Sequence, residues 1–212
     1  MSEQKPVEEV APQEEAAEKP KEEAPVEKHM RQKKEKKPKK QVEKPPELDP
    51  ASFIDARIGK IVKAAEVPDS DNLFMEDVDI GDGVIKHVVT SVRKYYTVEQ
   101  LQDRHVVIFT NMHPAKMCGV PSEAMLFAGS TEEPDVCELL DPPADAPIGE
   151  RVMFGKYTEG EAKDIDKRNK QWKKVVPFLR INEEGVATYK DEPLHVAEGV
   201  IKVPTLKNCE FH

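Results

Sequence analysis

Phe53-Ile54-Asp55-Ala56-Arg57-Ile58-Gly59-Lys60-Ile61-Val62-Lys63-Ala64-Ala65-Glu66-Val67 is the stretch on which the fold turns. Its inward positions read as Ile54, Ala56 and Ile58, alternate residues on one face of a strand, and the phase then shifts to Ile61. A phase change beside Gly59 is the trace a β-bulge leaves in a sequence, so one long bulged strand is expected over residues 53–67. A loop at 68–72 follows. Residues 76–80 and 84–90, joined by Gly81-Asp82-Gly83, read as a hairpin. Thr97-Val98-Glu99-Gln100 fits a capping box, with Gln100 reaching back to Thr97, so a short helix starts near Val98. The unbroken apolar run Val106-Val107-Ile108-Phe109 predicts a buried strand, and 124–128, 136–140 and 151–154 predict further short ones.

Several strands with one short helix ahead of the fourth predict an all-β main domain. Its form is a five-stranded Greek-key barrel of the oligonucleotide/oligosaccharide-binding (OB-fold) type. Pattern alone also admits an SH3-like barrel. Beyond it, Ile165, Trp172, Val175, Val176 and Leu179 sit at helical spacing until Pro177 perturbs the end, with Lys163, Lys167, Lys170 and Lys174 on the opposite face. Residues 185–203 alternate enough for two or three more strands. The division expected is therefore a tail at 1–47, a barrel domain at 48–157, and an α+β extension at 158–212 packed on the barrel.

Residues 1–47 hold seven of the 18 prolines, no glycine and no aromatic residue. Such a segment buries too little apolar surface to offset its ordering entropy, so a disordered tail is expected. It is split by charge: nine Glu against three Lys over 1–27, then nine Lys or Arg against two Glu over 28–44. The whole chain of 212 residues carries a net −9 with 38% hydrophobic residues. No apolar run approaches the ~18 residues a membrane helix needs, and the Glu- and Lys-rich start lacks the apolar segment of a secretory signal. Three cysteines at wide spacing, Cys118, Cys137 and Cys209, suit a reducing compartment. A cytoplasmic protein without membrane attachment is the expectation.

From Ile54-Asp55-Ala56-Arg57-Ile58-Gly59-Lys60-Ile61 onward the sequence resembles the tRNA-binding domain family. The likeness is close at Asn111-Met112-His113-Pro114-Ala115-Lys116-Met117-Cys118-Gly119-Val120-Pro121-Ser122-Glu123-Ala124-Met125-Leu126. It continues through Trp172, Pro177 and Val186-Ala187-Thr188-Tyr189-Lys190 to Gly199-Val200. Over residues 50–205 the chain is similar to the subfamily of endothelial monocyte-activating polypeptide II. That pattern is shared with tRNA-binding cofactors of aminoacyl-tRNA synthetases and with the appended domain of some tyrosyl-tRNA synthetases. The resemblance implies a non-catalytic barrel that binds tRNA and delivers it to one or more synthetases. It also implies an extension covering the face that simpler relatives use to dimerise, hence a monomeric barrel. Three positions depart from the pattern: Cys118 stands where the family usually has Arg, Ser91-Val92-Arg93-Lys94 replaces a small turn, and Val67 replaces a His.

Residues 45–212 carry 20 Lys or Arg and 30 Asp or Glu, so a polyanion requires the positive charges to be clustered. One cluster is Lys33, Lys34, Lys36, Lys37, Lys39 and Lys40; the other is a barrel face suggested by Lys86, Arg93, Lys94 and Lys116. Lysine runs supply counterion-release affinity with little sequence preference. Asn111, Ser122 and exposed aromatics such as Tyr95 or Tyr96 are expected to supply single-strand contacts. Each has a plainer reading: the tail lysines as a solubilising or nuclear-localisation-like run, Ser122 as a turn residue, the tyrosines as packing, Met117 and Met125 as core filler, and the 163–174 lysine stripe as a solvated face.

His87, His105, His113 and His195 have no partners at metal spacing, and no phosphate loop or nucleophile elbow appears. No cofactor and no enzymatic activity are expected. A second reading is a protein-interaction scaffold or a cytokine-like signal released by proteolysis near Asp49-Pro50-Ala51-Ser52, taken as an exposed region. The charge split of the tail carries one prediction: if the acidic half masks the basic half, deleting residues 1–27 tightens RNA binding, and unchanged or weaker affinity rules masking out.

Overall fold

A computed structural model describes residues 48–158, 162, 165 and 169–212; the tail at 1–47, with its lysine cluster, and Lys163 and Lys167 lie outside the described residues. A 3-10 turn, Pro50–Phe53, leads into β1 (Ala56–Glu66), β2 (Phe74–Asp79), β3 (Ile85–Thr90), helix α1 (Val98–Leu101) and β4 (His105–Phe109). A small hairpin follows, β5 (Ala115–Met117) and β6 (Val120–Ser122), then β7 (Met125–Leu126), β8 (Ala128–Thr131), β9 (Val136–Leu139) and β10 (Met153–Phe154). Helix α2 (Lys170–Val175) opens the last stretch, and β11 (Leu179–Ile181), β12 (Ala187–Tyr189), β13 (Glu192–Val196), β14 (Gly199–Val200) and β15 (Cys209–Phe211) complete it.

The first sheet runs β3-β2-β1-β4-β7, all antiparallel. Three consecutive strands form a meander and the fourth returns beside the first, which is the Greek-key order. The fold is thus mostly β and barrel-like, as expected. A second sheet, β10-β13-β12-β11-β15-β8-β9 with β14 against β13, joins the strands after β7 to those of the extension. Gln100 closes the capping box by accepting the Thr97 N–H at 2.8 Å, and Leu101 is driven fully into the barrel core.

The phase change in β1 has a different cause from the one expected. Ala56 and Ile58 point into a core shared with Phe109, Phe127, Val175, Leu179 and Tyr189, whereas Ile61 and Ala64 point into the barrel core with Phe74, Val78 and Ile108. The strand therefore buries residues on both faces. The register irregularity lies between Ile61 and Lys63, not beside Gly59. Gly59 is required for another reason: a Cβ there would sit 2.6 Å from Val78 Cγ1 and 3.1 Å from Ile108 Cγ2.

The helix of the extension is shorter than the spacing suggested. Pro177 cannot donate and ends it, so Leu179 lies in β11 rather than on the helix. Trp172 wedges between Phe109 and Phe127, with ring centroids at 5.1 and 5.5 Å, and fastens the extension to the barrel.

The supposed cleavage region is not exposed. Ala51 is fully buried and Ser52 is 3% exposed. Asp49 accepts from the Ala51 N–H and the Tyr189 hydroxyl, and it pairs with Lys190, whose ammonium lies 4.8–5.4 Å from the Tyr157, Tyr189 and Phe178 rings. Burial alone would raise the Asp49 carboxyl, but Lys190 and the two hydrogen bonds outweigh it and hold it low. Tyr189, desolvated and bonded to that carboxylate, is pushed up to about 12.

Glu76, 1% exposed, points inward from β2. Its Oε1 accepts the Thr90 hydroxyl at 2.8 Å, while Oε2 has no partner among the described residues. Burial pushes this carboxyl up from an ordinary 4.5 to about 8. The unfolded chain ionises near 4.5 while the fold keeps the proton, so this stabilisation is complete below 4.5 and is lost as pH rises towards 8. At about 1.4 kcal/mol per pH unit the loss reaches a few kcal/mol. Glu76→Gln is expected to flatten the decline in melting temperature across that window; thermal melts of both proteins at several pH values check it.

Candidate nucleic-acid interface

Alternation along β2 and β3 sends Phe74, Val78 and Val88 into the barrel and leaves Met75, Asp77, His87 and Val89 on its outer face. The hairpin β5–β6 folds over this face. Val67, Leu73 and Val89 form a small cluster beneath it with Met75, Met117 and Val120. Between hairpin and sheet lies a cleft of about 270 Å³. Its floor is Met75 and Val89, its wall Val120 and Pro121, and one edge is a charged row. Register explains the row: Lys63 pairs with Asp77, and Asp77 with His87. The Glu123 N–H then donates to the His87 carbonyl, and the Glu123 carboxylate accepts the His87 N–H at 3.1 Å. His87 Nδ1 lies 2.6 Å from Asp77 Oδ1. This is the strand 2–3 face that OB-folds use for oligonucleotides, flanked by the 67–73 loop and the loop after β4.

The hairpin's shape follows from its turn. Cys118 and Gly119, between the paired residues Met117 and Val120, have φ of +48° and +82°. That is the two-residue geometry whose twist matches the strands, and glycine adopts it freely. Ser122 is 7% exposed, and its hydroxyl accepts the Val89 N–H at 3.0 Å while donating to the Ala124 carbonyl at 2.9 Å. Asn111 ties the end of β4 to the entrance of β1: its Oδ1 accepts the Asp55 N–H at 3.0 Å, and its Nδ2 donates to the Phe53 carbonyl at 2.9 Å. Both polar groups shape the loop that carries the hairpin. Within the chain the Ser122 hydroxyl serves the turn, as its plainer reading has it.

The expected positive face divides. Lys116 is exposed on β5 opposite Pro121, and Lys86 is half-buried on β3 opposite Val78; neither has a carboxylate partner among the described residues. Arg93 instead donates to the Ser70 carbonyl and pairs with Glu66 at 2.6 Å, bracing the 67–73 loop. Lys94 is held by Asp135, which also accepts the Tyr95 hydroxyl. Tyr96 packs in the barrel core beneath Arg104, and its hydroxyl accepts the Leu139 N–H at 3.0 Å. Neither tyrosine lines the cleft, so they do not supply its stacking surface. Lys63, His87 and Glu123 were missed as a group, because their juxtaposition depends on a register shifted by the irregularity at Ile61–Lys63. Among the described residues no three His, Cys, Asp or Glu are placed to hold a metal ion, and no helix is long and apolar enough to cross a membrane.

Residues 56–151 match the model of a family described as a putative tRNA binding domain. The chain is 41% identical over 156 residues to the cytoplasmic methionine–tRNA ligase of Arabidopsis thaliana, covering 73% of this chain and 19% of that protein. It is 39% identical over 159 residues to aminoacyl tRNA synthase complex-interacting multifunctional protein 1 of Mus musculus, covering 74% of this chain and 51% of that one. The chain thus spans about a fifth of the former and about half of the latter. The crystal structure of the C-terminal domain of Plasmodium vivax p43 superposes with a TM-score of 0.67 at 25% identity, over 78% of this chain and all of that one.

Ser122→Ala leaves the Val89 N–H without its partner and is expected to cost about 1–3 kcal/mol of stability. Denaturant unfolding measures it. A loss of RNA affinity without any loss of stability would instead mark the hydroxyl as a contact.

Proposed function

We propose, from the match of residues 56–151 to the model of a putative tRNA-binding domain family, that the chain belongs to that family and is a non-catalytic tRNA-binding protein acting as a cofactor of aminoacyl-tRNA synthetases. The observation that carries the reading is the cleft between the β2–β3 face and the β5–β6 hairpin, with Lys63 and Lys116 beside it. Shape and backbone are what such a surface reads, since many of the cations of this acidic domain are already paired with carboxylates. The lysines at 33, 34, 36, 37, 39 and 40 add charge that is indifferent to sequence.

The partners proposed are tRNA and one or more synthetases, in the cytoplasm and without a membrane. The names of the relatives, one a cytoplasmic tRNA ligase and one a synthase-complex-interacting protein, support this. A monomeric barrel is supported by the core that Phe109 and Phe127 share with Val175, Leu179 and Tyr189, which covers that side of the sheet with the chain's own extension. Burial of Ala51 and Ser52 weighs against the proteolytic-signal alternative.

The test is a salt titration of tRNA affinity for the whole chain and for a chain starting at Glu47, which keeps Asp49. The log–log slope counts neutralised phosphates at ~0.7–0.9 per contact. Truncation is expected to remove several contacts' worth of slope and leave weaker, tRNA-selective binding. Failure of the whole chain to bind tRNA at low salt overturns the proposal. A truncated chain that binds nothing, beside a tail that binds any RNA alike, makes the barrel a protein-docking module.

A further inference from the structure

Resting on the RNA-binding reading above, we infer that the cleft beneath the β5–β6 hairpin takes a single unpaired base bearing an exocyclic amine (adenine, cytosine or guanine) and does not take a phosphate. Size is the first argument. At about 270 Å³ the cleft is just below the range of ligand pockets, large enough for a flat heterocycle and too small for stacked or paired bases. Its lining is the second. Met75 and Val89 below and Val120 and Pro121 at the side offer a thioether and apolar surfaces to the faces of a ring.

Charge is the third argument and fixes the chemistry. Asp77 and Glu123 stand in one row with His87 between them, and each spends one oxygen on His87: Asp77 Oδ1 at the ring nitrogen, Glu123 Oε2 at the backbone N–H. Asp77 Oδ2 and Glu123 Oε1 are left to accept. Two carboxylates at one edge repel a phosphate and accept N–H groups, and an amino group is the donor that a carboxylate reads on a base. Uracil presents carbonyl oxygens at the corresponding positions and is disfavoured. Lys63, opposite Asp77 in the register at the end of the row, and Lys116, opposite Pro121 on the hairpin, form no ion pair among the described residues and are placed for the flanking phosphates.

The test measures anisotropy of the full chain with labelled single-stranded oligo(A), oligo(U) and oligo(purine riboside), the last being the adenine series without its amine, and with tRNA, at about 0.15 M salt. Oligo(A) is expected to bind about tenfold tighter than the other two, the scale of one charge-assisted hydrogen bond. The near-isosteric pair Asp77→Asn with Glu123→Gln is expected to erase that difference. Val120→Trp, which fills the cleft from the hairpin, is expected to weaken oligo(A) binding, with a thermal melt reporting whether it folds. Equal binding of all three oligonucleotides, or a preference that survives the paired substitution, overturns the inference while tRNA binding persists. Loss of the wider reading looks different: the unaltered chain binds no tRNA at all.

Discussion

Between Ala56 and Ala64 the first strand has to satisfy two cores at once, and the rest of the architecture depends on how it does so. Ala56 and Ile58 belong to the core shared with the extension, while Ile61 and Ala64 belong to the barrel interior. Gly59 lets Val78 and Ile108 close against the backbone where a methyl group would collide. Barrel and extension are in this sense one packing problem. Each large apolar side chain on the shared side, such as Ile58, Phe109 or Phe127, gives about 1.5–3 kcal/mol through burial. That gain is present only while the extension stays in place.

Much of the fold could be read from particular residues. The Gly81-Asp82-Gly83 turn, the Thr97–Gln100 capping box and the apolar run ending at Phe109 each encode a local geometry, and each recurs in the structure. The phase shift in β1 was visible but ambiguous, because a bulge and a strand buried on both faces leave the same apolar residues one step out of alternation. The helix was overextended in the reading because Leu179 continues a helical spacing although it belongs to a strand.

The site was less legible than the fold for a physical reason. Asn111 and Ser122 are polar groups in a loop, and polarity alone does not reveal whether an amide or a hydroxyl faces a ligand or the loop's own backbone. Here both are spent internally. The row from Lys63 to Glu123 exists only across three strands and a hairpin, so it emerges with the register and not before. Charge behaves likewise. Arg57, Lys60, Arg93, Lys94, Arg104 and Lys190 are all paired with carboxylates, so the count of basic residues overstates the positive surface on offer.

The wedge formed by Trp172 has a practical side. It is the sole tryptophan of the chain, and it lies against Phe109 of the barrel's fourth strand and Phe127 just after the seventh. The intrinsic emission of the protein therefore reports on one joint, the seam between barrel and extension. The Trp172 ring is held by Phe109 and Phe127, so loosening of that seam is what exposes it to water and shifts its emission to the red. The molecule carries its own optical gauge of whether its two halves are joined.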